Sequence, residues 1–279
     1  MSTRKRLGLN SELYCSPVFF GLTDNPAFEC AGDVVARNAI SMRKHDLEAA
    51  FLSPVDYGRE SSDYCIIPHV AVSSRSPSSS IVLHFREGLH TVNTIAVHPT
   101  STSEIVLASI LLSERFDVRP KIVPAAGSFD QMLRSADAVL LVGNDALAQA
   151  QGHQSKLDLV EEWIDMTGLP YVHGFWCVRE TELTKEDVAI IQLACQSGIA
   201  SLENIVEAET AKEPGCSPEI LRQYLEAFSF TFTDEEQESV TEFLRYAYYH
   251  GVLPDLPDLH FYPMTDGDDD VPLSDPSLN

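Results

Sequence analysis

Residues 158–176 read DLVEEWIDMTGLPYVHGFW and place a helix, a tight turn and a strand in immediate succession. Leu159, Trp163 and Met166 recur at helical spacing, which predicts an amphipathic helix with these side chains facing inward. Gly168 ends that helix, because glycine readily adopts the left-handed conformation found at helix C-termini. The apolar and aromatic run that follows, residues 171–176, predicts a buried strand. This stretch therefore predicts a helix that passes directly into a strand of the core.

Further strands and helices alternate on both sides of this stretch. The continuous apolar run DAVLLVG, residues 137–143, is typical of a strand buried on both faces of a parallel sheet. Helix starts are indicated at Thr184, at Ser217 followed by a proline, and at Thr233 followed by three acidic residues. Further strands are predicted at residues 6–9, 49–53, 65–74, 80–85, 92–97 and 121–123. This alternation predicts an α/β chain with mainly parallel sheets.

The order of these elements also predicts how the chain is divided. The middle third, residues 96–179, has strands and helices of its own and is expected to form a second lobe. A first lobe would then consist of residues 1–95 and 180–262, with a ligand cleft between the two lobes. Residues 263–279 are acidic and poor in aromatic side chains, so we predict a disordered tail. The GDDD run in this tail lacks the spacing of a calcium loop, and no metal site is predicted.

Composition limits the classes of partner. The chain has 279 residues and a formal net charge of −23, which argues against nucleic acid and against anionic membrane surfaces. It shows neither a long apolar span nor an export signal, and its six cysteines show no metal-like spacing. We therefore expect a cytoplasmic protein with reduced thiols. A site for an anionic ligand would have to use hydroxyls, backbone N–H groups and helix N-termini, because cationic side chains are few.

A cluster of hydroxyls precedes the strongest helix signal in the chain, HPTSTSEIVLASILLSE at residues 98–114. Ser101 and Glu104 have the spacing of a capping box, in which each side chain bonds a free backbone N–H at the helix start. Thr102 and Ser103 add two further hydroxyls at the positive end of the helix dipole. The segment is therefore predicted to cap the helix and to bind a carboxylate.

Several motifs occur in an order that resembles the menaquinone biosynthesis family of the futalosine route, which includes the chorismate dehydratases and a later cyclase. The resemblance extends to about Tyr262. It rests on Gly8, Pro17 and Gly21-Leu22 at family spacing, on the strand that starts at Ser80, on the hydroxyl-rich helix start, on residues 137–147, on residues 158–176, and on Tyr224-Leu225 and Glu242-Phe243.

The resemblance implies a fold and a reaction. The fold expected is that of type 2 periplasmic binding proteins, with two α/β lobes around a cleft. The reaction expected is the dehydration of chorismate, a small dicarboxylate, to 3-[(1-carboxyvinyl)oxy]benzoate, by a lyase that needs neither a metal nor an organic cofactor. Two alternatives stay open, namely a non-catalytic carboxylate-binding paralogue and the sister cyclase that acts on the dehypoxanthine futalosine intermediate.

The resemblance also implies site residues, and the chain departs from the family pattern at several of them. Tyr14 stands where the family has asparagine, Thr102 where it has arginine, Asn144 where it has aspartate, and His173-Gly174 where Phe-Ala is usual. The residues implied are Ser80 and Tyr14 for catalysis, and Ser101, Thr102, Ser103, Asn144 and His173 for substrate binding. Structural roles are the alternatives: a strand-start hydrogen bond for Ser80, space filling for Tyr14, and a place in the core for His173.

Overall fold

Two five-stranded sheets organise the chain in the computed structural model, which describes residues 4–33, 35–98, 102–149, 155–212 and 217–264. The strands are β1 Lys5–Asn10, β2 Phe28–Asp33, β3 Ala49–Leu52, β4 Cys65–Ser74, β5 Ile81–Phe85, β6 Thr94–Val97, β7 Lys121–Pro124, β8 Ala138–Val142, β9 Lys156–Asp158 and β10 Tyr171–Val178. The helices are α1 Val35–Arg43, α2 Pro54–Gly58, α3 Thr102–Phe116, α4 Phe129–Ser135, α5 Gly143–Ala148, α6 Leu159–Thr167, α7 Lys185–Ala200, α8 Leu202–Lys212, α9 Pro218–Glu226 and α10 Asp234–Tyr249, with a 3-10 helix at Leu13–Phe19.

The first sheet has the strand order β2-β1-β3-β10-β4. Strand β1 is parallel to both of its neighbours, whereas β10 is antiparallel to β3 and to β4. All eight residues of β10 are buried, because the strand lies between two others and is covered on both faces. Its side chains alternate between two hydrophobic clusters, with Phe175 and Cys177 in one and Trp176 and Val178 in the other.

The second sheet has the order β7-β6-β8-β5-β9. Strands β6, β7 and β8 are parallel, while β5 runs antiparallel to β8 and β9. The chain leaves the first sheet after Ser74, enters the second at Ile81, and returns through α6 into β10. Two chain crossings therefore join two α/β lobes, as expected from the resemblance.

The sheets correct two of the sequence predictions. They are mixed rather than mainly parallel, because β5 and β10 each run against both neighbours. They also divide the chain elsewhere than at the predicted lobe boundaries: β5 and the start of β6 belong to the second sheet, and β10 belongs to the first. An apolar run shows that a strand is buried, but its partner strand is set by contacts between residues far apart in sequence.

Residues 158–176 have the predicted conformation, a helix followed by a tight turn and a strand. The Asp158 carboxylate caps α6 by accepting hydrogen bonds from the backbone N–H groups of Val160 and Glu161, at 2.9 and 3.3 Å. The helix ends at Gly168, which has a φ of 74°. Leu159 and Trp163 are fully buried and Met166 is half-buried. The Trp163 indole N–H donates to the carbonyl of Pro170 at 3.2 Å, so the helix is tied to the start of β10.

Other expectations are met or missed at the level of single elements. The strand at residues 65–74 and the helix starts at Thr184, Ser217 and Thr233 are confirmed. Strand β2 and helix α1 lie in a segment without a clear pattern, and α8 follows α7 directly after Ser201. The predicted tail lies outside the described residues, apart from Pro263 and Met264.

No single helix among the described residues is long and apolar enough to cross a membrane. Helices α7 and α8 pass such a test only as a pair, by length and composition, and they meet at an angle of 79°. The cysteines at positions 15, 30, 65, 177 and 195 are free thiols, and Cys216 lies outside the described residues.

Candidate functional site

A cavity of about 190 Å³ lies between the two lobes. The first lobe contributes residues near the C-terminal ends of β1 and β3, and the second lobe contributes the start of α3 and the region around β8. The lining residues are Asn10, Glu12, Tyr14, Ser53, Asp56, His98, Thr102, Ser103, Glu104, Gly127, Met132, Leu140, Leu141, Val142 and Asp145. In an α/β chain the ends of strands are where ligands are usually bound.

One wall of the cavity is a reciprocal contact between the lobes. The backbone N–H of Asn144, in α5, donates to the Glu12 carboxylate at 2.7 Å. In return, the Asn144 side-chain oxygen accepts a hydrogen bond from the backbone N–H of Leu13 at 2.9 Å. Gly143 has a φ of 56°, and a Cβ atom there would lie 1.8 Å from the Glu12 carboxylate. The close approach of the two lobes therefore requires glycine at this position.

The opposite wall is the start of α3. The Ser103 hydroxyl is fully buried and accepts a hydrogen bond from the backbone N–H of Val55, in α2, at 3.2 Å. Next to it, the Ser53 hydroxyl donates to the carboxylate of Asp56 at 2.8 Å. Thr102 is half-buried and also lines the cavity. Thr102 and Ser103 of the hydroxyl-rich segment thus line the cavity, whereas Ser101 lies outside the described residues.

Acidic side chains dominate the electrostatics of the cavity. Burial raises the pKa of Glu12 to about 7, against the opposing effect of the Asn144 N–H. Burial also raises the pKa of Glu104 to about 7, and the nearby charges of Asp56 and Glu12 add to the effect. The pKa of Asp56 is raised by burial too. Among the described residues, the cavity lining includes no lysine or arginine.

Tyr14 closes one side of the cavity and stands in front of an aromatic cluster. Its ring lies 5.0 Å from that of His173 and 5.1 Å from that of Phe228, between centroids. His173 is buried, and its Nε2 shares a hydrogen bond of 3.1 Å with the Ser74 hydroxyl. Burial lowers the pKa of His173 to about 3, so the ring stays neutral at physiological pH. His173 therefore supports Tyr14 from behind and does not line the cavity.

Ser80 is fully buried and does not line the cavity either. Its hydroxyl shares a hydrogen bond of 2.7 Å with that of Ser78, and its carbonyl accepts the N–H of Gly143 at 2.7 Å. Ser80 thus holds the turn that brings Gly143 against Glu12. This placement matches the structural alternative that the sequence left open for a serine at the start of a strand.

The structure brings together only some of the predicted site residues. Tyr14, Thr102 and Ser103 share the cavity, whereas Asn144 belongs to the contact between lobes. Glu12 and Asp56 are cavity residues that no sequence pattern predicts, and Glu104 is predicted only as part of a helix cap. Their positions 12, 56 and 104 are too far apart for any spacing rule to connect them. No set of three or more acidic, histidine or cysteine side chains in the described part of the chain is arranged to hold a metal ion.

Solved structures share this two-lobed fold. A protein of Archaeoglobus fulgidus superposes with a TM-score of 0.72 at 17% identity, over 90% of this chain and 98% of that one. The periplasmic aliphatic sulphonate binding protein of Escherichia coli superposes with a TM-score of 0.66 at 12% identity, over 94% of this chain and 98% of that one. The fold is therefore that of the periplasmic binding proteins.

Sequence comparison is more specific. A protein family described as menaquinone biosynthesis matches residues 5–249. A chorismate dehydratase of Thermus thermophilus is 24% identical over 212 residues, which cover 70% of this chain and 77% of the relative. The family match includes both lobes and every described residue that lines the cavity.

Proposed function

The chain belongs to the menaquinone biosynthesis family, and on that premise we propose that it is a cytoplasmic lyase that dehydrates chorismate to 3-[(1-carboxyvinyl)oxy]benzoate. The observation that carries this proposal is the cavity between the lobes. Tyr14, Thr102 and Ser103 line it at positions where the family resemblance implies contact with substrate. The relative from Thermus thermophilus that shares 24% identity is a chorismate dehydratase, which favours this substrate.

The reaction makes limited demands on the protein. The C3–H bond and the C4–O bond of chorismate break, the C3–H electron pair becomes the third double bond of the ring, and the oxygen leaves as water. Because the product is aromatic, much of the driving force comes from the substrate itself. The protein has to hold the carboxylates, accept a proton from C3 and supply one to the departing hydroxyl.

Hydroxyl donors in the cavity suit the first of these tasks. Burial keeps the pKa of Tyr14 well above its usual value, so its phenol stays protonated and able to donate. Thr102 offers a second hydroxyl at the start of α3, where the positive end of the helix dipole favours an anion. These groups would orient the ring and one carboxylate, in a cavity whose described lining includes no lysine or arginine.

Incubation of the pure protein with chorismate tests the proposal. We expect the absorbance of the cyclohexadiene to fall while the aromatic 3-[(1-carboxyvinyl)oxy]benzoate accumulates in equal amount. Absence of turnover at enzyme concentrations comparable to substrate would refute it. The same assay with the dehypoxanthine futalosine intermediate distinguishes the sister cyclase reaction.

A second candidate is a non-catalytic binding protein for small carboxylates. One observation favours it: the aliphatic sulphonate binding protein of Escherichia coli shares the fold. Thermal unfolding with and without the product 3-[(1-carboxyvinyl)oxy]benzoate separates the two candidates. A binder gains stability with this ligand but forms no product from chorismate, whereas an enzyme does both.

A further inference from the structure

Two carboxyl groups face the same cavity from opposite lobes. Glu12 lies just before the 3-10 helix of the first lobe, and Glu104 lies in the first turn of α3 in the second. Both are half-buried. A substrate held in the cavity therefore faces one carboxyl group from each lobe.

The surroundings of the two carboxyl groups differ. Glu12 accepts the backbone N–H of Asn144 at 2.7 Å, and a hydrogen bond of this kind stabilises a carboxylate in its ionised form. Glu104 accepts its own backbone N–H, but it has two acidic neighbours that disfavour a further negative charge, Asp56 and Glu12, whereas Glu12 has one, Asp145. When one proton is shared between the two, it is therefore held mainly by Glu104.

A buried tyrosine also interacts with Glu104. Tyr171 is 1% exposed, interacts electrostatically with Glu104, and its hydroxyl has no hydrogen-bond partner among the described residues. Buried hydroxyls are normally paired. Tyr171 lies outside the cavity lining, so its hydroxyl is part of the surroundings of Glu104 and is not a contact to the ligand.

We propose that Glu12 and Glu104 are the base and the acid of the dehydration, in a site that is complete only when both lobes enclose the substrate. This inference rests on the proposed function. The Glu12 carboxylate takes the proton from C3, the C3–H electron pair forms the new ring double bond, and the C4–O bond breaks. The departing oxygen takes the proton of Glu104 and leaves as water. The proton on Glu12 then returns to Glu104 through solvent once the product leaves, so no other reactant is consumed.

Both groups titrate in the range that this exchange needs. Their raised pKa values, about 7 for each, let a carboxyl group accept a proton in one step and release it in another near neutral pH. The other titratable groups around Glu12 are Asp145, Cys15, Tyr14 and Tyr224. Those around Glu104 are Asp56, Tyr14 and Tyr171. Arg59 forms an ion pair with Asp56, and His98 also lines the cavity. None of these is a lysine or arginine in contact with either glutamate, and the charge of Glu12 itself raises the pKa of Glu104.

The experiment compares the steady-state rates of wild type, Glu12→Gln and Glu104→Gln with chorismate between pH 5 and 9. Wild type is expected to show a bell-shaped profile, because activity needs Glu12 ionised and Glu104 protonated. Glu12→Gln should lower kcat by about 10²–10⁴-fold and remove the acidic limb of the profile. Glu104→Gln should lower kcat by a similar factor and remove the alkaline limb. Glu161→Gln, the same change at an exposed position of α6, is the control and should leave both limbs intact.

Two further measurements show whether each variant still folds and binds product, and whether the transfer of the C3 proton has become slower. Each variant is expected to unfold cooperatively and to be stabilised by 3-[(1-carboxyvinyl)oxy]benzoate. With chorismate deuterated at C3, the isotope effect on the rate should be larger in Glu12→Gln than in wild type. Wild-type turnover with both limbs unchanged in the two variants would overturn the acid–base assignment alone. A wild type without turnover would overturn the assignment and the proposed function together.

Discussion

Single residues fix how closely the two lobes approach each other. Gly143 and Glu12 are the clearest pair, because the left-handed backbone at Gly143 allows the N–H of the next residue to reach the Glu12 carboxylate. Neither residue stands out in the sequence. Glu12 is one acidic residue among many in a chain with 42 of them, and its partner follows it by more than a hundred positions.

Gly143→Ala is expected to lower the free energy of unfolding by about 2–4 kcal/mol. The new Cβ would both occupy a left-handed conformation and displace the Glu12 carboxylate. Gly21→Ala is the matched control, because Gly21 has a similar φ of 73° but no atom within 4 Å of a Cβ. That variant should lose only about 1–2 kcal/mol. Urea unfolding of both variants measures the difference, and equal losses would show that the contact with Glu12 adds nothing.

Glu104 gives the stability a pH dependence of predictable sign. Its folded pKa of about 7 lies above the value of 4.5 that is usual for glutamate, so the folded chain binds more protons than the unfolded chain between these values. The contribution to stability is complete below pH 4.5 and is lost as the pH rises through 7. Relative to wild type, Glu104→Gln should therefore gain about 2–3 kcal/mol between pH 4.5 and 8. Urea titrations across this range measure it, and a difference that does not change with pH would contradict the raised pKa.

At the scale of elements, the hinge between the lobes is held by the cap of α6. One oxygen of Asp158 caps the helix, and the other accepts the backbone N–H of Ser79, in the segment that connects the two sheets, at 2.7 Å. Ser79 has a φ of 53°, which is uncommon for a serine. One carboxylate therefore fixes both a helix start and a turn between lobes.

Asp158→Ala is expected to cost about 2–3 kcal/mol, since it removes a helix cap and leaves the Ser79 N–H without its partner. Thr184→Ala is the comparison, because Thr184 caps α7 through local bonds to Asp187 only. It should cost about 1 kcal/mol. Thermal and urea unfolding of the two variants provide the test, and a smaller loss for Asp158→Ala than for Thr184→Ala would contradict the hinge role.

Elements with strong local signals were predictable and the others were not. The α6–β10 stretch follows from a helical period, a terminal glycine and an apolar run, all within residues 158–176. Helix α4 also has a local signal at its start, because the backbone N–H of its N-cap residue Ser128 donates to the Gln131 side chain at 3.0 Å. Helix α1 and strand β2 carry no comparable signal, because their stability comes from packing against β1 and β3 rather than from local propensity.

At the scale of the whole molecule, the order of motifs predicts the two-lobed fold, which the solved structures confirm. The composition of the cavity was not predictable, since its walls combine residues from positions 10 to 145 that meet only after both sheets have formed. The same limit applies to Ser80 and His173, which the resemblance assigns to the ligand: in the folded chain the Ser80 hydroxyl bonds that of Ser78, and the His173 ring bonds Ser74.

The central claim is that the cavity between the lobes receives the substrate, and a crystal structure of the protein with bound 3-[(1-carboxyvinyl)oxy]benzoate tests it most directly. We predict the ring of this product between Glu12 and Glu104, with one carboxylate within hydrogen-bonding distance of the Tyr14 or Thr102 hydroxyl. A second concavity, lined by Ser109, Ser113, Glu114, Arg119, Pro120, Tyr249 and His250, lies on the outer surface near the end of α10. Product bound there, with the cavity between the lobes left empty at saturating concentration, would contradict the claim.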